Sequence, residues 1–310
     1  MNNLTGAEVL ARRGITPEPV PASSGLRFPD GAHFRIEIPS VEGPSVFRAA
    51  IEQAAEEGIT VNRVSQGSGA MLLSTAELAE MARLGADHGI EVSLFVGPRE
   101  EWDVGSLAQS GEGPSRAGLI RGARQLRYAI DDVLRGVEQG IRGFLVADSG
   151  LLELLAEMQR RGELPASVIW KVSAMLAPAN PLTVSQLDRL GASTINVPSD
   201  ATLGQLAEMR AVTRLPIDLY VEAPSGMGGV VRGHETADLV AVTAPMYSKF
   251  GLRNSRPLYP SGLHLVNEAS LIAREKVHRA SVALEWIGRN GMDLMQSGPG
   301  APGLGVPEPS

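Results

Sequence analysis

The 310-residue chain contains no cysteine. Disulfides, thiol nucleophiles, thiolate-held zinc and cysteine-ligated iron–sulfur clusters are therefore excluded. Lysine is nearly missing as well. It stands only at 171, 249 and 276, so 25 of the 28 basic residues are arginine. Apolar runs of the roughly 20 residues that cross a bilayer are absent. The opening stretch MNNLTGAEVLARRG has no apolar core of the kind a signal peptide needs. A cytoplasmic protein without membrane partners is the expectation. A broad basic face is also missing, since the net charge is −7. That argues against nucleic acid as a partner and leaves room for a local cationic pocket holding a small anion.

What is present is alternation. Short apolar runs bounded by Gly, Pro and Asp alternate with helical patterns, eight times over. The strand candidates are His33–Ile38, Thr60–Ser65, Glu91–Val96, Gly143–Ala147, Val168–Ser173, Ser193–Val197, Ile217–Glu222 and Leu239–Thr243. Glycines 58, 89, 140 and 191 stand between a helix and the next strand, where a helix stop belongs. Such repetition predicts parallel strands joined by right-handed crossovers, and eight units close into a (β/α)8 barrel. A doubly wound sheet would carry a glycine fingerprint after strand one, where this chain has PSVEGP. The expected organisation is an N-terminal arm over 1–32, a barrel over 33–290 and a Gly/Pro-rich, flexible tail over 291–310. The outer helices also offer faces for self-association.

Strand side chains alternate between faces. Turning the apolar residues outward leaves an inward set that includes Arg35, Glu37, Arg63, Ser65, Phe144, Val146, Asp148, Lys171, Asn196, Asp218, Tyr220 and Glu222. Barrel interiors usually hold branched apolar side chains, so these charges must pair or reach a wet pocket. The upper ring, toward the catalytic face of such barrels, comprises Glu37, Gln66, Asp148, Lys171, Asn196 and Glu222. Lys171 is the sharpest feature. A desolvated lysine can form a Schiff base or act as a base, which arginine cannot. Asp148 and Asn196, on neighbouring strands, are expected to orient it. Glu37 and Glu222 are candidate acid–base groups. With Asp148 they could also ligate magnesium or manganese through oxygen. An internal ion-pair cluster is the plain alternative.

Two loops look suited to an anion. Ser225–Gly229 carries Gly226, Gly228 and Gly229 after strand seven, where barrels often build phosphate sites. The following segment, 245–265, carries Tyr247, Lys249 and Arg253, which could clamp a carboxylate or phosphate. The long strand-three loop, 97–117, is expected to act as a lid.

The segments RIEIPSVEGP (35–44), VSQGSGAMLL (64–73) and TAPMYSKFGLRN (243–254) resemble bacterial barrel proteins of the U32 peptidase family. The resemblance implies a barrel and suggests amide hydrolysis. The family's cysteine-rich signature, which some members use for iron–sulfur clusters, has no counterpart here. No Ser-His-Asp or HExxH pattern supplies a hydrolytic centre in its place. The residues themselves point to a small anionic substrate and to lyase or aldolase-like chemistry at Lys171. Amide hydrolysis and a non-catalytic binding or scaffold barrel are the alternatives.

Overall fold

In a computed structural model, which describes residues 5–99, 118–176 and 178–309, eight parallel strands close into one barrel in chain order. They are β1 (Phe34–Pro39), β2 (Arg63–Gln66), β3 (Glu91–Phe95), β4 (Gly143–Val146), β5 (Ile169–Val172), β6 (Thr194–Asn196), β7 (Ile217–Glu222) and β8 (Met246–Phe250). After the short α1 (Gly6–Ala11), the outer ring is α2 (Pro44–Glu57), α3 (Thr75–His88), α4 (Gly122–Glu138), α5 (Ser149–Arg160), α6 (Pro181–Arg189), α7 (Leu203–Arg210), α8 (Thr236–Thr243) and α9 (Val266–Asn290). No helix among the described residues is long and apolar enough to cross a membrane.

The barrel and its outward apolar layer match expectation. Ile36, Ile38, Val64, Val92, Leu94, Val172, Ile195, Leu219 and Val221 belong to one continuous core with the helices. Burying this layer is the main drive for closure. Helix starts are locally encoded: Ser74 and Thr202 form capping boxes with Glu77 and Gln205, and Asn180 caps α6.

Strand eight is not where the pattern placed it. Leu239–Thr243 is part of helix α8, and the eighth strand is Met246–Phe250. The α8 residues are buried nearly all round, and an apolar run of that length fits a buried helix as well as a strand. The true strand reads as polar because its inward side chains are Tyr247 and Lys249. The sequence pattern alone puts both in a mouth loop.

The phase of β4 is also reversed. Phe144 packs against Trp170 on the outside, with ring centroids 5.8 Å apart, and Leu145 turns inward to the mouth. Val146 joins the same outer core. A strand of four apolar residues offers no alternation to read.

The tail corrects a third expectation, since it straps the barrel floor. Arg35 donates to Ser297 Oγ at 3.0 Å and to the Pro302 carbonyl at 2.7 Å. Asn62 donates to the carbonyls of Ser297 and Gly298. Gly305 N–H donates to Glu91 Oε2 at 3.1 Å, and Glu308 N–H to the Gly140 carbonyl at 2.8 Å. Helix α1 buries nothing, and the arm covers the floor through Phe28 and Ala32, packed on Tyr247.

Candidate active site at the barrel mouth

Register places three charged side chains around one carboxylate. Glu37 on β1 lies opposite Arg63 on β2 and Lys249 on β8. Lys171 reaches Glu37 from β5, across the interior. Glu37 Oε1 accepts from Lys171 Nζ and from Ser65 Oγ at 2.7 Å, and it lies 3.6 Å from Lys249 Nζ. Glu37 Oε2 accepts from Arg63 at 3.1 Å. Arg63 also donates to Glu91 at 2.6 Å and to Asp218 at 2.8 Å, and its guanidinium lies 3.4 Å from the Tyr247 ring centre. Thr194 donates to the other Asp218 oxygen at 2.7 Å.

This network keeps its charges because each has partners. Burial pushes the Glu37 carboxyl up, but Lys171, Lys249 and Arg63 outweigh it and hold it well below the usual carboxylate range. Lys171 moves the other way. Burial takes its amine down to about 7, with Lys249 pressing the same way and Glu37 opposing. An amine so placed is shared between its charged and neutral forms at neutral pH.

Above this network lies a cavity of about 500 Å³, counting the part open to solvent. Its polar wall includes Ser40, Ser65, Gln66, Arg99, Asn196, Tyr220, Lys249 and Tyr259. Among the described residues the charged side chains on this wall, Arg99 and Lys249, are both cationic. Lys249 Nζ donates to Asn196 Oδ1 and sits 4.1 Å from the Tyr220 ring centre. Arg99 stacks on Phe95 at 3.8 Å and donates to the Gly67 carbonyl at 2.6 Å. Lys171 is fully enclosed below. The lysine that meets the cavity is therefore Lys249.

The other candidates disperse. Gln66 lines the cavity, but its amide is tied to the backbone of Gly69 in both directions. Asp148 caps α5, accepting from Leu151 N–H at 2.9 Å and Ile120 N–H at 3.2 Å. It stands just past the end of β4, where an aspartate ahead of a helix becomes a cap, so it does not orient Lys171. A register shift between Tyr220 and Glu222 breaks the alternation of β7. Glu222 accepts from Arg253 N–H at 2.9 Å, lies 3.8 Å from Arg279 on α9, and lines a separate surface groove with His234 and Trp286. Glu37, Asp148 and Glu222 thus have separate duties, and no described group of three carboxylates or histidines has the arrangement of a metal site.

Gly226 and Gly228 are exposed in the loop after β7, and Gly229 is spent on a turn, its N–H donating to the Pro224 carbonyl. Met227, not a glycine N–H, reaches the cavity wall. Arg253 is exposed and runs beside Gly229, outside the cavity. Tyr247 belongs to the floor, where Arg35 donates to its hydroxyl at 3.0 Å. The expected lid falls mostly outside the described residues, which end at Arg99 on that side. Arg99 belongs to the expected lid loop and Tyr259 to the loop expected to clamp an anion, but neither reads as a cavity residue from the sequence. Their loops carry no periodicity to place them.

No protein-family model matches the chain, and neither does any curated protein. Several solved structures are similar to it. One is the U32 peptidase Mk0906, with a TM-score of 0.42, 19 % identity and coverage of 66 % of this chain and 73 % of that one. Another is a putative copper homeostasis protein CutC from Streptococcus agalactiae, at 0.45 and 13 %, covering 70 % and 99 %. A third is a putative fructose-1,6-biphosphate aldolase from Coccidioides immitis, at 0.49 and 11 %, covering 84 % and 93 %. At these values the likeness is one of architecture, and no residue's role follows from it.

Proposed function

We propose that the protein is a barrel lyase that takes a small carbonyl compound bearing a carboxylate or phosphate and reacts with it through a lysine amine. The observation that carries this reading is the pair of lysines sharing Glu37, one of them on the wall of the mouth cavity. In a chain that otherwise uses arginine, a primary amine at both places argues for chemistry arginine cannot perform. Arg99, on the same wall, is suited to the substrate's anionic group.

Lys249 is the nucleophile in this scheme. Its proton is given up to solvent at the mouth, while Lys171 and Glu37 stay paired beneath it. The free electron pair on Lys249 Nζ attacks the carbonyl carbon; one proton from the attacking amine and one from solvent turn the carbonyl oxygen into water, leaving a protonated imine. The resulting iminium draws the electron pair of the adjacent bond, so that carbon–carbon or carbon–oxygen cleavage becomes easy. Asn196 and the Tyr220 face hold the amine in position.

The test is borohydride reduction in the presence of pyruvate and other 2-oxo acids, followed by peptide mass mapping. A reduced adduct on Lys249, lost in Lys249→Met, is the expected result. With three lysines in the chain the assignment is unambiguous. A chain that gives no adduct across such a panel has a structural ion cluster at its centre, and the lyase reading falls.

A further inference from the structure

Imine chemistry needs a proton at the carbon left behind when a bond breaks. Among the described residues two phenols line the mouth cavity; Tyr220 turns its ring face to Lys249, 4.1 Å away, which leaves the Tyr259 hydroxyl as the candidate. Tyr259, in the loop between β8 and α9, lines the cavity, and its hydroxyl shares a 2.6 Å hydrogen bond with Ser40 Oγ of the same wall. The residue as a whole is 41 % exposed, and its hydroxyl is part-buried at the Ser40 contact.

Three features of the chain converge on this hydroxyl. Ser40 directly follows β1 with φ of +61°, a left-handed conformation that non-glycine residues seldom adopt and that stores strain. Gly67 is cut away beneath the ring: a Cβ there would stand 2.3 Å from Tyr259 Cζ. The loop carrying Tyr259 is pinned from the far side, where Ser261 N–H donates to Ser68 Oγ at 2.8 Å. Ser68 is in turn held by Glu42, which also accepts from the N–H groups of Gly67 and Ser68. A strained serine, a glycine that leaves room for the ring and a buried carboxylate thus surround one phenol at the cavity.

We infer that Tyr259 is the proton donor of this site, its hydroxyl protonating the substrate carbon released at the lysine imine while Ser40 relays a replacement proton from water. The inference rests on the lysine reading given above. The balance is simple. Bond cleavage leaves an enamine on Lys249; its carbon forms a bond to the phenol proton; Tyr259 takes a proton from Ser40, and water restores Ser40. Burial, with Glu42 and Tyr220 nearby, pushes the phenol well above its ordinary range, so it holds its proton at neutral pH. Ser40 is a positioning residue in this scheme.

Pyruvate in deuterium oxide provides the test. Exchange of its methyl protons runs this transfer in both directions, and borohydride trapping reads the imine separately. Tyr259→Phe keeps the ring on Gly67 and removes the oxygen. It is expected to slow exchange about 100-fold or more, the usual loss for a general acid or base. The trapped adduct on Lys249 should reach the same endpoint, because a proton donor changes a rate and not the imine equilibrium. Ser40→Ala should slow exchange about 10-fold, again with the adduct retained. Circular dichroism melts confirm that both variants fold. Undiminished exchange in Tyr259→Phe overturns the inference, as does wild-type adduct formation without exchange. Joint loss of adduct and exchange in a folded Tyr259→Phe assigns the residue to substrate binding and overturns it too. Absence of an adduct in the wild type removes the lysine reading and this inference with it.

Discussion

Lysine is kept for three places, and all three are buried. Lys171 and Lys249 flank Glu37, and Lys276 on α9 donates to the Pro39 carbonyl at 2.7 Å, just past the wall of the cavity. Lys276 offers the cleaner measurement because it stands apart from the cluster. Burial takes its amine down to about 7, with Glu42 opposing. In the unfolded chain it titrates near 10.5. Between those values the unfolded state binds the extra proton, so this residue makes stability rise with pH across that window. Below pH 7 both states are charged and the penalty of burying the charge is present in full. Urea unfolding of the wild type at pH 7 and pH 9.5 should therefore show more stability at the higher pH, on the order of 3 kcal/mol from this group. Lys276→Met should remove that part of the rise. A pH dependence unchanged by the substitution counts against the buried, depressed amine. At this scale the sequence was informative where strands alternate: Glu37, Arg63, Lys171 and Asn196 do point inward. It misplaced Asp148 and Glu222 because each stands where a strand ends or slips, and alternation has no authority there.

Strands and helices were legible in kind and count, less so in phase. The segment 239–250 contains both a helix and a strand, and the more apolar half is the helix. The rule that apolar runs are strands failed because α8 is buried on every side, whereas β8 carries its polar residues into a polar interior. β4 shows how tightly one element constrains another. Gly143 lies where an added Cβ would stand 2.6 Å from the Val92 carbonyl oxygen and 3.2 Å from Ser93 Cα. Both are backbone atoms of β3, which cannot swing aside as a side chain could. Gly143→Ala is expected to push β3 and β4 apart and to destabilise the fold by ~2 kcal/mol, a typical cost for strain in a packed region. A shift in the urea midpoint at constant slope measures it. A neutral outcome would mean that the strand pair has slack the packing does not suggest.

For the molecule as a whole, the unusual element is a charged barrel interior sealed from below. Arg35 and Glu91 both depend on the strap over 291–309 for partners, the first through Ser297 and Pro302, the second through Gly305 N–H. A chain ending at Asn290 leaves these buried charges with fewer partners and opens the floor to water. Removing a partner from a buried charge is costly, so a loss of ~3 kcal/mol or more is expected in urea unfolding, together with faster amide exchange in β1 to β3. Equal stability of the shortened chain would show the strap to be dispensable. The sequence by itself determined the repeating architecture, because strand and helix patterns are local and their apolar faces have one economical way to be buried. It also determined that the interior would be charged and that a lysine would lie within it. Only the tertiary structure decided which lysine meets the cavity, that Tyr259 and Arg99 share its wall, and that the glycine-rich tail is an ordered floor. Those outcomes depend on register across the closed barrel and on contacts between segments more than 100 residues apart, such as Lys171 with Glu37 and Ser40 with Tyr259. Local periodicity carries no record of either.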